Sequence, residues 1–105
     1  MKTFGETIRS LREARGMLLR EVAAALQIDP SLLSRIETGE KRATRDQVLQ
    51  LAKILKADEN ELLVNYLSDK IVYELIDEDL ALEAMMAAEE KINYLKKSKK
   101  RGSKK

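Results

Sequence analysis

The stretch Val22-Ala23-Ala24-Ala25-Leu26-Gln27-Ile28-Asp29-Pro30-Ser31-Leu32-Leu33-Ser34-Arg35-Ile36-Glu37-Thr38-Gly39 decides how this chain is read. Val22, Ala23 and Leu26 form an apolar stripe at helical spacing, and Leu33 and Ile36 form a second. Between them Gln27-Ile28-Asp29 is a turn of about three residues, the length that joins two helices at a steep angle. Asp29 is a natural N-cap, and Pro30 follows at the first helical position, where a missing N–H costs nothing. Gly39 stops the second helix. Ala23 lies where the two helices must come close, so a small side chain is needed there.

With Val22, Leu26, Ile28, Leu33 and Ile36 facing inward, the outer face of the second helix carries Pro30, Ser31, Ser34, Arg35 and Thr38. Short polar groups beside one long guanidinium suit a surface that enters a major groove. There Arg can pair with guanine in bidentate fashion.

Outward from this pair, more helices are expected. Thr3-Phe4-Gly5-Glu6 is a capping box that opens a first helix over about residues 4–15, with Ile8 and Leu11 inward and Gly16 as its left-handed end. Leu18 or Leu19 begins the second helix. Thr44-Arg45-Asp46-Gln47 is another capping box and opens a fourth, with Val48, Leu51, Ala52 and Leu55 as its apolar face. Asp58-Glu59-Asn60-Glu61 opens a fifth, carrying Leu62 and Leu63.

Beyond Tyr66 the pattern changes. Ile71-Val72-Tyr73-Glu74-Leu75-Ile76 is β-branched and aromatic, and its composition predicts a strand; the other reading is that the fifth helix continues. A lone strand leaves its backbone groups unpaired, so its partner would be the same segment of another copy, in a two-fold dimer. Asp77-Glu78-Asp79 places negative charge where a helix N-terminus favours it. The Ala-, Leu-, Met- and Glu-rich run from Leu80 to Leu95 then predicts a last helix, with Leu80, Ala84, Ala88, Ile92 and Leu95 as a stripe. Met85 and Met86 are read as interface packing. The expected organisation is a DNA-binding domain over 1–67, a strand-and-helix dimerisation or partner arm over 68–96, and a disordered basic tail over 97–105.

Composition narrows the function. The chain has 105 residues, 44% hydrophobic and 36% charged, with no Cys and no His. Disulfides and thiolate metal sites are excluded, and the commonest general base and transition-metal ligand are missing. An enzyme is not expected, nor a metal or cofactor. No apolar run approaches the roughly 18 residues that span a bilayer, and Met1 to Glu6 has no signal core. A cytoplasmic, nucleoid-associated protein with no membrane partner is therefore expected. Net charge is only +2, but residues 1–45 hold nine basic and six acidic side chains, residues 46–90 three and twelve, and residues 91–105 eight and none. The front is basic, the middle acidic and the tail basic.

The segment Gly16-Met17 through Val22-Ala23, Leu26, Ile28-Asp29-Pro30-Ser31-Leu32-Leu33-Ser34-Arg35-Ile36-Glu37-Thr38-Gly39-Glu40-Lys41-Arg42 resembles the lambda-repressor-like, XRE-type helix-turn-helix family. The resemblance continues through Val48-Leu49-Gln50-Leu51-Ala52-Lys53-Ile54-Leu55-Lys56-Ala57 and Glu61-Leu62, and covers about residues 4–65. It implies an all-α, five-helix DNA-binding domain. It also implies that Ser31, Ser34 and Arg35 read base edges, that Thr38, Lys41 and Arg42 contact phosphates, and that Arg12 pairs with Glu37. Arg9, Arg15, Arg20 and Arg45 are expected to be mainly surface charges.

The chain departs from the family's pattern in three places. Leu18 and Leu19 stand where the family has Ser or Thr and then Gln, which removes the usual N-cap and one phosphate-contacting amide. Gln27 stands where the turn usually has Gly, so a side chain is expected at positive φ at a cost of about 1 kcal/mol. The function expected is a transcriptional regulator that binds double-stranded DNA as a homodimer on an operator. The alternative is an antitoxin whose acidic C-terminal helix binds a small protein partner. A third reading, an adaptor that has lost DNA binding, rests on Leu18 and Leu19 alone.

Overall fold

The computed structural model describes residues 2–103, with side chains as far as Lys99. Among these residues there are six α-helices and no strand: α1 (Phe4–Ala14), α2 (Leu19–Leu26), α3 (Pro30–Thr38), α4 (Arg45–Ile54), α5 (Glu59–Leu75) and α6 (Ala81–Ser103). The chain divides into two compact units, residues 1–71 and 72–105. The division falls inside α5, a little beyond the expected boundary at 67/68.

The helix starts follow from short-range chemistry. Thr3 and Thr44 make complete capping boxes with Glu6 and Gln47, and Asp29 accepts from the backbone N–H of Ser31 at 2.8 Å. Leu18 has no side-chain acceptor, so α2 keeps only half a box: the Leu18 N–H donates to the Glu21 carboxylate at 2.7 Å. The helix ends share one device. Gly16, Gln27, Gly39 and Lys56 all have positive φ, and the residue after Gly16, Gln27 and Lys56 returns its N–H to the carbonyl five positions back. Gln27 has φ 59° and ψ 41°, the left-handed conformation expected of it. Lys56, at φ 51°, carried no such signal in the sequence.

The core of the first unit gathers Phe4, Ile8, Val22, Ala23, Leu26, Leu33, Ile36, Ala43, Val48, Leu51, Ala52, Leu55, Leu62 and Tyr66. Leu11, Ile28 and Leu63 pack against it half-buried. Of the two leucines at the start of α2, Leu19 packs against this core and Leu18 is exposed. α1 and α3, α2 and α3, and α2 and α4 are the pairs in closest contact.

The strand expected over 71–76 is not formed, and α5 runs through to Leu75. The reason lies in helix propagation. α5 is already three turns long at Ile71, and each added residue contributes a backbone bond without a new nucleation cost. The Ile76 N–H, for example, donates to the Val72 carbonyl at 2.8 Å. No Gly or Pro interrupts the chain between residues 40 and 101. A β preference worth less than about 1 kcal/mol per residue does not outweigh an unpaired strand in water. The argument for a two-fold dimer through that strand falls with it. The tail also differs from expectation: α6 continues to Ser103, past residue 97 where irregular chain was expected, while Lys104 and Lys105 lie outside the described residues. Lys and Arg are good helix formers, and cations near a helix C-terminus are favoured by its dipole.

Candidate nucleic-acid interface

α3 is held by its inner face and leaves its outer face free. Leu33, Ile36 and Glu37 are buried; Pro30, Ser31, Ser34, Arg35 and Thr38 are exposed. Residues 31, 34, 35 and 38 stand at i, i+3, i+4 and i+7, which is one side of a helix.

Two contacts fix how α3 sits. The first is the Arg12–Glu37 pair, which the structure shows as a bidentate, largely buried fork. Arg12 Nε donates to one Glu37 oxygen at 2.8 Å and a terminal nitrogen donates to the other at 3.1 Å. The remaining terminal nitrogen donates to the Met17 carbonyl at 3.0 Å, so α1, the turn before α2 and α3 meet at one guanidinium. The bond to Glu37 pushes the Arg12 pKa up, against the opposing pull of burial. The second contact is at Gly5 of α1. A Cβ there would lie 2.5 Å from the Ile36 carbonyl oxygen, and closer still to that of Glu37. Only glycine allows α1 to approach the last turn of α3 this closely.

The polar groups at the two ends of α3 are already partly engaged. The Ser31 hydroxyl donates to the Asp29 carboxylate at 2.7 Å, and this bond, with the Ser31 N–H, holds the Asp29 carboxyl below its ordinary pKa. With its proton committed to Asp29, the Ser31 oxygen offers acceptor lone pairs outward. It is therefore set to accept from an N–H and not to donate to a carbonyl. Arg35 offers only donors. At the other end, the Thr38 hydroxyl and the Lys41 N–H both donate to the Arg35 carbonyl at 3.1 Å. The loop that carries Lys41 and Arg42 is thus folded against the C-terminus of α3, with both side chains exposed. The structure brings Ser31, Ser34, Arg35 and Thr38 onto one surface and places Lys41 and Arg42 in the loop beside its C-terminal end.

Four contacts that brace this surface had no local signal in the sequence. Arg15 donates to the Leu55 carbonyl at 2.6 Å and closes the end of α4, a structural role for a side chain expected on the surface. The Phe4 N–H at the start of α1 donates to the Asp69 carboxylate at 2.8 Å. Asn65 donates to the Thr7 hydroxyl at 2.9 Å. Tyr66 donates to the Ala43 carbonyl at 2.7 Å, and its ring meets Phe4 edge-on at 5.5 Å. The last three pin α5 to α1 and to the loop before α4. Each joins residues more than 20 positions apart, so no local pattern could reveal them.

A surface-presented helix after a three-residue turn, braced from behind by a buried ion pair, defines a helix-turn-helix module. The profile of the family described as a helix-turn-helix domain matches residues 3–63, and this chain belongs to that family, as an XRE-like member. Over 53 residues, 50% of its length, it is 45% identical to a protein of Methanocella arvoryzae named as an HTH-type transcriptional regulatory protein. It spans only 16% of that relative. Two crystal structures of the clp gene regulator ClgR from Corynebacterium glutamicum are similar in fold. One has a TM-score of 0.55 at 29% identity, covering 63% of this chain and 86% of that one. The other has a TM-score of 0.56 at 25% identity, covering 88% and 84%. Residues 1–71 cannot supply 88% of the chain, so the second likeness reaches into the second unit.

Proposed function

We propose that this chain is a sequence-specific regulator of transcription that binds double-stranded DNA as a homodimer, reading the major groove of each half-site with α3. The exposed row Ser31, Ser34, Arg35 and Thr38, on a helix fixed from behind, is the observation that carries the reading. Ser31, Ser34 and Arg35 contact base edges, while Lys41 and Arg42 contact phosphates and set the register, joined by Thr38 once its hydroxyl turns from the Arg35 carbonyl to a phosphate oxygen. One module reads only a few base pairs, so two copies on a two-fold operator, with half-sites about one helical turn apart, supply the specificity. The place of action is then the cytoplasm, at the nucleoid. Among the described residues no helix is long and apolar enough to cross a membrane. The relatives named above are regulators, and the antitoxin alternative is not carried further.

The test is selection from random duplexes, followed by fluorescence anisotropy on the selected site at near-physiological salt with excess non-specific DNA. Arg35→Ala is expected to cost about 1–3 kcal/mol and to relax preference at one base pair. Lys41→Ala is expected to weaken binding to all sequences alike and to lower the salt slope by about one. Failure to enrich any site, or binding indifferent to Arg35, overturns the proposal.

A further inference from the structure

α6 carries an apolar seam that is half-buried at Ala81 and exposed from Met85 onward. Ala81, Met85, Ala88, Ile92 and Leu95 are spaced alternately by four and three residues, the repeat of a helix that packs lengthwise against another helix. Met85, Ile92 and Leu95 are 39%, 53% and 61% exposed. Leu82, Met86 and Tyr94 project from other faces and are not part of the seam. Charge is divided along the same helix. Asp77, Glu78 and Asp79 precede it, and Glu83, Glu89 and Glu90 follow without a base among them. From Lys91 onward come Lys96, Lys97 and Lys99 without an acid.

We propose that α6 pairs antiparallel with α6 of a second copy through this seam. This rests on the homodimer reading above and assigns it a surface. Three features converge on the arrangement. Antiparallel pairing sets the acidic half of each helix beside the basic half of the other, whereas parallel pairing sets like charge beside like. It also matches side-chain size: Ala81 falls opposite Leu95 and Met85 opposite Ile92, with Ala88 near the axis, where two backbones approach most closely. Finally, a two-fold axis across the helix makes the contact isologous, so it closes as a dimer and does not propagate. A uniformly anionic surface, whether lipid or nucleic acid, would attract the basic half and repel the acidic one. A second copy of this chain complements both halves.

The absence of cysteine from the chain makes the register directly measurable. Single cysteines are introduced into the full chain at Ala88→Cys, Ala81→Cys and Leu95→Cys, and mild oxidation is followed by non-reducing electrophoresis. A disulfide forms only where two Cα atoms come within about 7 Å. The expected result is a covalent dimer of Ala88→Cys at twice 12.0 kDa, and several-fold more dimer from mixed Ala81→Cys and Leu95→Cys than from either alone. Stronger self-linking of both Ala81→Cys and Leu95→Cys indicates parallel pairing and overturns the proposal. No cross-link at all also overturns it. Sedimentation of the unmodified chain at tens of micromolar then separates two cases. A monomer of 12.0 kDa removes the homodimer reading as well, while a dimer leaves that reading standing with its surface elsewhere. The Arg35 experiment judges DNA reading independently of either.

Discussion

Arg12 and Glu37 show how one buried pair serves the exposed face of α3. The fork between them is largely shielded from water, with the Arg12 side chain 12% and the Glu37 side chain 5% exposed, so each partner depends on the other for its missing solvent. Arg12→Ala leaves Glu37 buried without its counter-charge. It is expected to destabilise the first unit by about 3–5 kcal/mol, read as a drop in the urea midpoint. DNA binding should weaken only as far as folding does, because Arg12 does not lie on the outer face. Gln27 is the opposite case, a local strain that costs stability without carrying a contact. At φ 59° its side chain is crowded against the following carbonyl, and Gln27→Gly removes the crowding. A gain of up to about 1 kcal/mol is expected in thermal or urea unfolding, partly offset by the greater freedom of glycine in the unfolded chain. A loss would mean that the Gln27 side chain makes a favourable contact.

Among elements, the contrast is between helices whose ends are specified locally and one whose length is not. α4 begins at a complete capping box, in which Thr44 and Gln47 satisfy each other's backbone N–H. Thr44→Ala removes the acceptor for the Gln47 N–H and is expected to cost about 1 kcal/mol, with the urea midpoint lowered and the slope unchanged. α5 lacks any stop signal for 17 residues, and its last residues, 72–75, fall in the second unit. Its buried residues, Leu62 and Tyr66, lie in its first half. Beyond them Leu67, Ile71, Val72 and Tyr73 are exposed, so propagation and not burial extends the helix there.

For the molecule as a whole, the absence of histidine sets the pH response. No side chain has an ordinary pKa between about 5 and 8. At the acid end, Glu6 is held below its ordinary pKa chiefly by the Thr3 N–H, and Asp29 chiefly by the Ser31 hydroxyl. A carboxyl with a folded pKa below its unfolded value contributes stability above the unfolded value and loses it as pH falls through the folded one. The thermal midpoint is therefore expected to stay level from about pH 6 to 8 and to fall below about pH 4.5, as α1 and α3 lose their N-terminal bonds. A midpoint that fell between pH 8 and 6 would contradict this account.

Features whose causes lie within a few residues can be read along the chain: where α1, α3 and α4 begin, where α2 turns into α3, which residues of each face the core, and which side of α3 faces out. Caps, left-handed ends and apolar spacing act over three to seven positions. The family resemblance carried the reading further, to Arg12 with Glu37, which the structure shows as a bidentate pair. The rest came from packing between distant segments. It set Gly5 against the last turn of α3, Arg15 on the end of α4, Asp69 on the first turn of α1 and Tyr66 on Ala43. It also left residues 71–76 with no partner strand, so the helix continued. These outcomes depend on which distant groups arrive at the same place, and a backbone or buried polar group must take whatever partner packing brings to it.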